Sequence, residues 1–160
     1  ISEFAYMPKT KTLEEAYDQC LADGLIEEKA EVNTQHVRDM LKIAEIYMQS
    51  AEFLANQSKK DDPKWMNVYL DYYEALRIVA EGLAKLSKKG ISNHQCLFAF
   101  VCSTYPDLEL DWDFFEKIRT KRNGAHYYGK LITHEDWSQI QLQCKLYISA
   151  IKKKVESMIA

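Results

Sequence analysis

The segment from Phe115 to Lys130, FEKIRTKRNGAHYYGK, carries two arginines, an asparagine, a histidine and two tyrosines along what reads as one helix. Arg119 and His126 are seven residues apart, which on an α-helix falls about 20° short of two full turns. Arg122 precedes His126 by one turn, so Arg119, Arg122, Asn123 and His126 can converge on one ligand. Their types suit phosphate chemistry. A guanidinium presents a planar fork that matches two phosphate oxygens, asparagine and tyrosine add neutral hydrogen bonds, and an imidazole with an ordinary pKa of about 6.5 can exchange a proton near neutrality.

A metal-free ribonuclease needs those parts: a base for the ribose 2′-hydroxyl, a cation where charge builds on the phosphate, and a donor for the leaving oxygen. Arg122 assisted by Arg119 can stabilise the phosphorane, His126 can carry the proton, and Asn123 and Tyr128 can orient the scissile group. The same segment has a structural reading. Asp107, Glu109, Asp111, Asp113 and Glu116 precede Lys117, Arg119, Lys121 and Arg122, the order of charge that any helix macrodipole favours.

The rest of the chain must position these residues. Of 160 residues, 47% are hydrophobic and 28% charged, which suits one domain, taken here as residues 7–160, that buries about 68–70% of its unfolded surface. Ile1-Ser2-Glu3-Phe4 reads as a cleaved fusion remnant, with residues 1–6 set aside and Met7 as the natural start. Only 5 glycines and 3 prolines occur, and apolar residues recur every three or four positions, so the pattern predicts helices and no sheet.

Thr12-Leu13-Glu14-Glu15 has the form of a capping box opening a short helix to about Ala22, and Asn33 or Thr34 caps a long one to about Asn56. Asp62-Pro63 signals a third start, with a helix continuing to about Leu86. Ser92 or Asn93 caps a shorter helix that must end before Tyr105-Pro106. Asp111 or Asp113 opens the helix bearing the motif, with Gly129 just past its end. A last helix from Thr133 runs to the C-terminus through Trp137, Ile140, Leu142, Leu146, Ile148, Ile151 and Val155. The expected architecture is all-α, an antiparallel bundle of four principal helices plus short ones.

A net charge of -3 excludes a generally basic surface, so any anion site must be local. The four cysteines show no CxxC spacing, and reduced, buried thiols in a cytoplasmic protein are the expectation. His94, Cys96 and Cys102 match no zinc spacing, the carboxylates Glu109, Asp111 and Asp113 suit helix capping, and no metal or other cofactor is expected. No apolar run approaches the length needed to cross a bilayer. Tyr69, Tyr72, Tyr73 and Tyr105, with Trp65, could stack on bases, but their helical spacing mostly indicates a core or dimer surface.

With its neighbours in place, the motif segment resembles the signature of the HEPN family, small α-helical bundles of higher eukaryotes and prokaryotes that carry an arginine, four to six residues, then a histidine. Six residues separate Arg119 from His126, while Asn123 and Tyr128 resemble members reading Arg-Asn before the histidine and His-x-Tyr after it. In a second alignment Arg122-Asn123 is the family pair, three residues separate Arg122 from His126, one fewer than the family's minimum, and the chain resembles a subgroup reading Arg-Asn-Gly-x-x-Tyr-Tyr-Gly in which the histidine position varies. Trp65, Tyr69, Tyr72, Tyr73, Glu74, Ala75 and Leu76 resemble the family's Tyr-Glu-Ala-Leu-rich helix, and Gly90 with His94 its following turn; the likeness runs from about Thr34 to the end.

The resemblance implies a homodimer in which two motif helices line a shared cleft, RNA or a nucleotide as ligand, and a metal-independent endoribonuclease of the toxin kind that leaves 2′,3′-cyclic phosphate. It equally implies a noncatalytic module that holds a nucleotide or a small nucleotidyltransferase partner, with Tyr128 as the residue such a partner would modify.

Overall fold

A computed structural model describes residues 10–160. The readings of residues 1–6 as a remnant and of Met7 as the start lie outside the described residues. In chain order the elements are α1 (Leu13–Ala22), β1 (Glu27–Glu28), α2 (Thr34–Gln57), α3 (Trp65–Leu86), β2 (Lys89–Gly90), α4 (His94–Thr104), a 3-10 turn at Pro106–Leu108, α5 (Trp112–Tyr128) and α6 (His134–Ile159). The protein is an all-α bundle in which α2, α3, α5 and α6 are the long rods.

Capping chemistry sets most of the boundaries. Thr12, Asn33, Asn93 and Asp111 each accept a backbone N–H of the following first turn, and Thr133 forms a full reciprocal box with Asp136. At α1 only half of the expected box forms, because the bond present runs from Glu15 N to Thr12 Oγ1 at 3.2 Å. Asp62 accepts from Lys64 N at 2.8 Å, but residues 62–65 enter as a tighter turn and regular helix begins at Trp65 rather than at Pro63.

Helix α3 is the axis of the fold. It packs against α2, α4, α5 and α6, and Tyr69, Tyr72, Leu76, Val79 and Leu83 are all buried along it. A helix apolar on nearly every side is one that neighbours surround. At Gly82 it faces α2, with Val37 Cγ1 at ordinary contact distance, 3.6 Å, from where a Cβ would stand. On α6 the buried positions are Trp137, Ile140, Cys144, Ile148, Ile151 and Val155. Leu142 and Leu146, apolar residues of the same helix, are exposed, because Cys144 takes the inward place between Ile140 and Ile148 and two residues of helix turn a side chain to the opposite face.

Two further expectations are corrected. A small sheet exists: β1 pairs antiparallel with β2, Glu27 opposite Gly90 and Glu28 opposite Lys89. Two-residue polar strands have no alternation to read, and the pairing follows from Lys88 at φ 60 turning the chain after α3 and from Lys29 N donating to Lys88 O at 2.9 Å. The cysteines are not all reduced, since Cys20 of α1 and Cys96 of α4 form a disulfide with Cα atoms 5.7 Å apart. Two half-cystines that are 76 residues apart in sequence become neighbours only because α1 lies on α4. Cys102 and Cys144 remain free and buried, and burial pushes both thiols up to about 12.

Candidate phosphate site

The first half of α5 is anchored in the core and the second half is not. Trp112, Phe114, Phe115 and Ile118 are its buried residues, and none is buried after Ile118. Phe115 stacks on Phe98 of α4 with ring centroids 4.7 Å apart, and Phe98 meets Tyr73 of α3 edge-on at 6.0 Å. This aromatic chain holds three helices in one register. It delivers the polar part of α5 to the first turn of α4.

There Ser92, Asn93, His94 and Gln95 face Arg119, Arg122, Asn123 and Tyr127 across a cavity of about 370 Å³. The N-terminus of α4 contributes the positive end of its dipole, with backbone N–H groups of the first turn lacking intrahelical partners. Asn93 satisfies one of them, accepting from Cys96 N at 3.0 Å.

The two arginines differ. Arg119 is held by Glu116 through two bonds of 3.0 Å, and Gln95 Nε2 donates to the same carboxylate at 3.1 Å, stitching α4 to α5. Arg122 has no carboxylate within ion-pair distance among the described residues; its guanidinium donates to Asn123 Oδ1 at 3.3 Å and stands 5.7 Å over the Tyr73 ring. A cation–π contact orients a guanidinium without neutralising it. Arg122 is therefore the charge available to an incoming anion, and Arg119 braces the wall beside it.

His94 is the residue that motif spacing missed. Its Nδ1 lies 2.9 Å from Tyr73 Oη, and it lines the cavity with both arginines. Burial, then the charges of Arg122 and Arg77, pull its pKa from 6.5 down to about 4. The ring is neutral at pH 7. With Nδ1 protonated its Nε2 is a base; in the other tautomer Nε2 donates to an oxygen. Behind it Arg77 binds Glu74 through Nε at 3.1 Å and Glu81 through Nη1 at 2.6 Å. Burial pushes the Glu74 carboxyl up, but the hydrogen bond and charge of Arg77, with His94 and Arg122 nearby, outweigh it and hold the group ionised below its usual range.

Of the five motif residues, Arg119, Arg122 and Asn123 share this cavity. His126 is exposed and lines neither cavity on α5. Tyr127, one residue further along α5, does line the α4 cavity, so distance along the helix axis does not account for the exclusion of His126. Tyr128 is 78% exposed and lies on the other side of α5, in a second cavity. The tyrosines of α3 are core: Tyr69, Tyr72 and Tyr73 are buried, and the Tyr72 hydroxyl bonds Glu52.

Cys96 spends its sulfur in the disulfide and so cannot join His94 and Cys102 as a thiolate ligand. No group of three histidine, cysteine or acidic side chains capable of holding a metal occurs among the described residues. Asp111 caps α5, accepting from Asp113 N at 3.0 Å. No helix of the described residues is long and apolar enough to cross a membrane. Compared with known proteins, the chain matches no family model, no curated protein and no solved structure.

Proposed function

We propose that the chain binds a phosphate group of RNA or of a nucleotide between the first turn of α4 and the middle of α5, as a protein of HEPN type. The observation that carries this reading is Arg122, a half-buried guanidinium without a carboxylate partner in a cavity it shares with Arg119, Asn123 and His94. Phosphate would take the fork of Arg122, the amide of Asn123 and the N–H groups of the α4 first turn. A homodimer with motif helices lining a shared cleft belongs to the same proposal.

In the catalytic form, a metal-independent endoribonuclease, Arg122 stabilises the phosphorane and a histidine moves the proton from the 2′-hydroxyl. His94 is inside the cavity and His126 beyond its rim, so the two are separable by mutation. The noncatalytic form, a module holding a nucleotide or a nucleotidyltransferase partner, is favoured by one observation: His126, the motif histidine, is absent from the cavity lining.

RNA incubated with the protein in EDTA tests both. Cleavage that falls by about 100-fold or more in His94→Ala and is lost in Arg122→Ala supports the enzyme with His94 as its base; the same loss in His126→Ala assigns the proton to the motif histidine. Nucleotide binding that depends on Arg122 without any cleavage supports the module. Binding unaffected by Arg122→Ala refutes the site.

A further inference from the structure

The opposite flank of α5 carries a larger cavity, of about 1030 Å³, reaching to the start of α6. Lys117, Lys121 and Lys130 line it together with Tyr127 and Tyr128. The two tyrosines are 71% and 78% exposed, unlike those of α3, and nothing in the described core uses their rings. Lys121 is tied to Asp136 at 3.1 Å. Lys117 and Lys130 form no ion pair among the described residues. Gly129, at φ 63, ends the helix, and Lys130 N then donates back to Gly124 O at 3.2 Å. That turn lays the Lys130 side chain beside Gly124, its Cδ 3.7 Å from where a Cβ would be, while the residue stays exposed at the mouth of the cavity.

Arg119, Asn123 and Tyr127 line both cavities. The two hollows therefore meet across α5. From this continuity we infer that the chain holds an extended single strand of nucleic acid, with one phosphate at Arg122 and the adjoining nucleotides running over α5, their bases stacked on Tyr127 and Tyr128 and their phosphates against Lys117 and Lys130. Exposed aromatic faces beside unpaired ammonium groups are what sequence-tolerant single-strand binding requires, and the local supply of cations answers a net charge that excludes a generally basic surface. Asp113, Glu116 and Asp136 also border the groove. They restrict the phosphate track to the two lysines left unpaired.

This inference rests on the phosphate reading of the Arg122 cavity, and the experiment separates the two. Affinities for inorganic phosphate, a mononucleotide and single-stranded oligonucleotides of about two to ten nucleotides, RNA and DNA, are measured for the parent, Tyr127→Ala/Tyr128→Ala, Lys117→Ala/Lys130→Ala and Arg122→Ala. The expected result is affinity that climbs over the first few nucleotides. The tyrosine pair loses about fivefold or more for oligonucleotides and nothing for the mononucleotide, and the lysine pair shows a shallower salt dependence. Equal oligonucleotide affinity in the parent and the tyrosine variant, with binding still lost in Arg122→Ala, overturns the groove and leaves the cavity. Oligonucleotide binding lost in the tyrosine variant but untouched by Arg122→Ala keeps the groove and overturns the cavity. Self-association lost in the tyrosine variant, with oligonucleotide binding unchanged, reassigns these tyrosines to a protein surface.

Discussion

The two halves of α5 follow different rules. Between Trp112 and Ile118 it sends Trp112, Phe114, Phe115 and Ile118 into the core, and from Arg119 to Tyr128 none is buried. The first half derives its position from aromatic packing on α3 and α4; the second is presented by it. Chemistry built on such a rod needs few bonds of its own, because Phe115, Phe98 and Tyr73 have already set the helix at the required distance. The lesson is that the stability and the chemistry of one helix can be mutated almost independently.

The most severe way to break this division is Phe115→Ala. Phe115 is fully buried, and the cavity left behind is expected to lower unfolding free energy by about 3–5 kcal/mol in urea denaturation, whereas His126→Ala, on the exposed half, should stay within about 0.5 kcal/mol. Reduction of the Cys20–Cys96 bond comes next. It closes a loop of 76 residues, for which the chain-entropy relation gives about 4.5 kcal/mol and measured losses run about 2–5. Unfolding midpoints with and without dithiothreitol check it.

A smaller effect is carried by protons. His94 titrates at about 4 when folded against 6.5 when exposed, so between these values the unfolded chain binds a proton that the folded chain does not. Stability contributed by His94 is then complete above pH 6.5 and is lost as pH falls toward 4, a decline of about 1–3 kcal/mol that His94→Gln should abolish. Phosphate in the cavity favours the imidazolium, so saturating nucleotide should raise the His94 pKa in an NMR titration; an unchanged value would place the ligand elsewhere. Gly129→Ala is the mildest. Its φ of 63 strains any residue with a Cβ while open space surrounds the position, so about 1 kcal/mol is expected from denaturant midpoints.

Local rules were legible from the residues alone. Thr12 and Thr133 cap the helices they were expected to cap, and of the alternatives Asn33 or Thr34, Ser92 or Asn93, and Asp111 or Asp113 the caps are Asn33, Asn93 and Asp111, because an Asx or Thr side chain satisfies a first-turn N–H within three residues of itself. The all-α class followed from helical periodicity, and Arg119, Arg122 and Asn123 converge because 3.6-residue spacing places them on one face.

What depends on distant partners was not legible. The pairing of Glu27–Glu28 with Lys89–Gly90 and of Cys20 with Cys96 needs α1 seated on α4. Glu116 beside Arg119 is an i,i+3 pair within α5, whereas Tyr73 beneath Arg122 needed α3 to lie across the gap. His94 joins the cavity only because α4 begins opposite the middle of α5, and His126 stays out of it although its neighbour Tyr127 lines it. Sequence by itself determined which groups α5 carries and which way each faces, since helical geometry is local. Tertiary packing alone decided which of them meet a partner, because burial and ion pairing are properties of what lies across the gap.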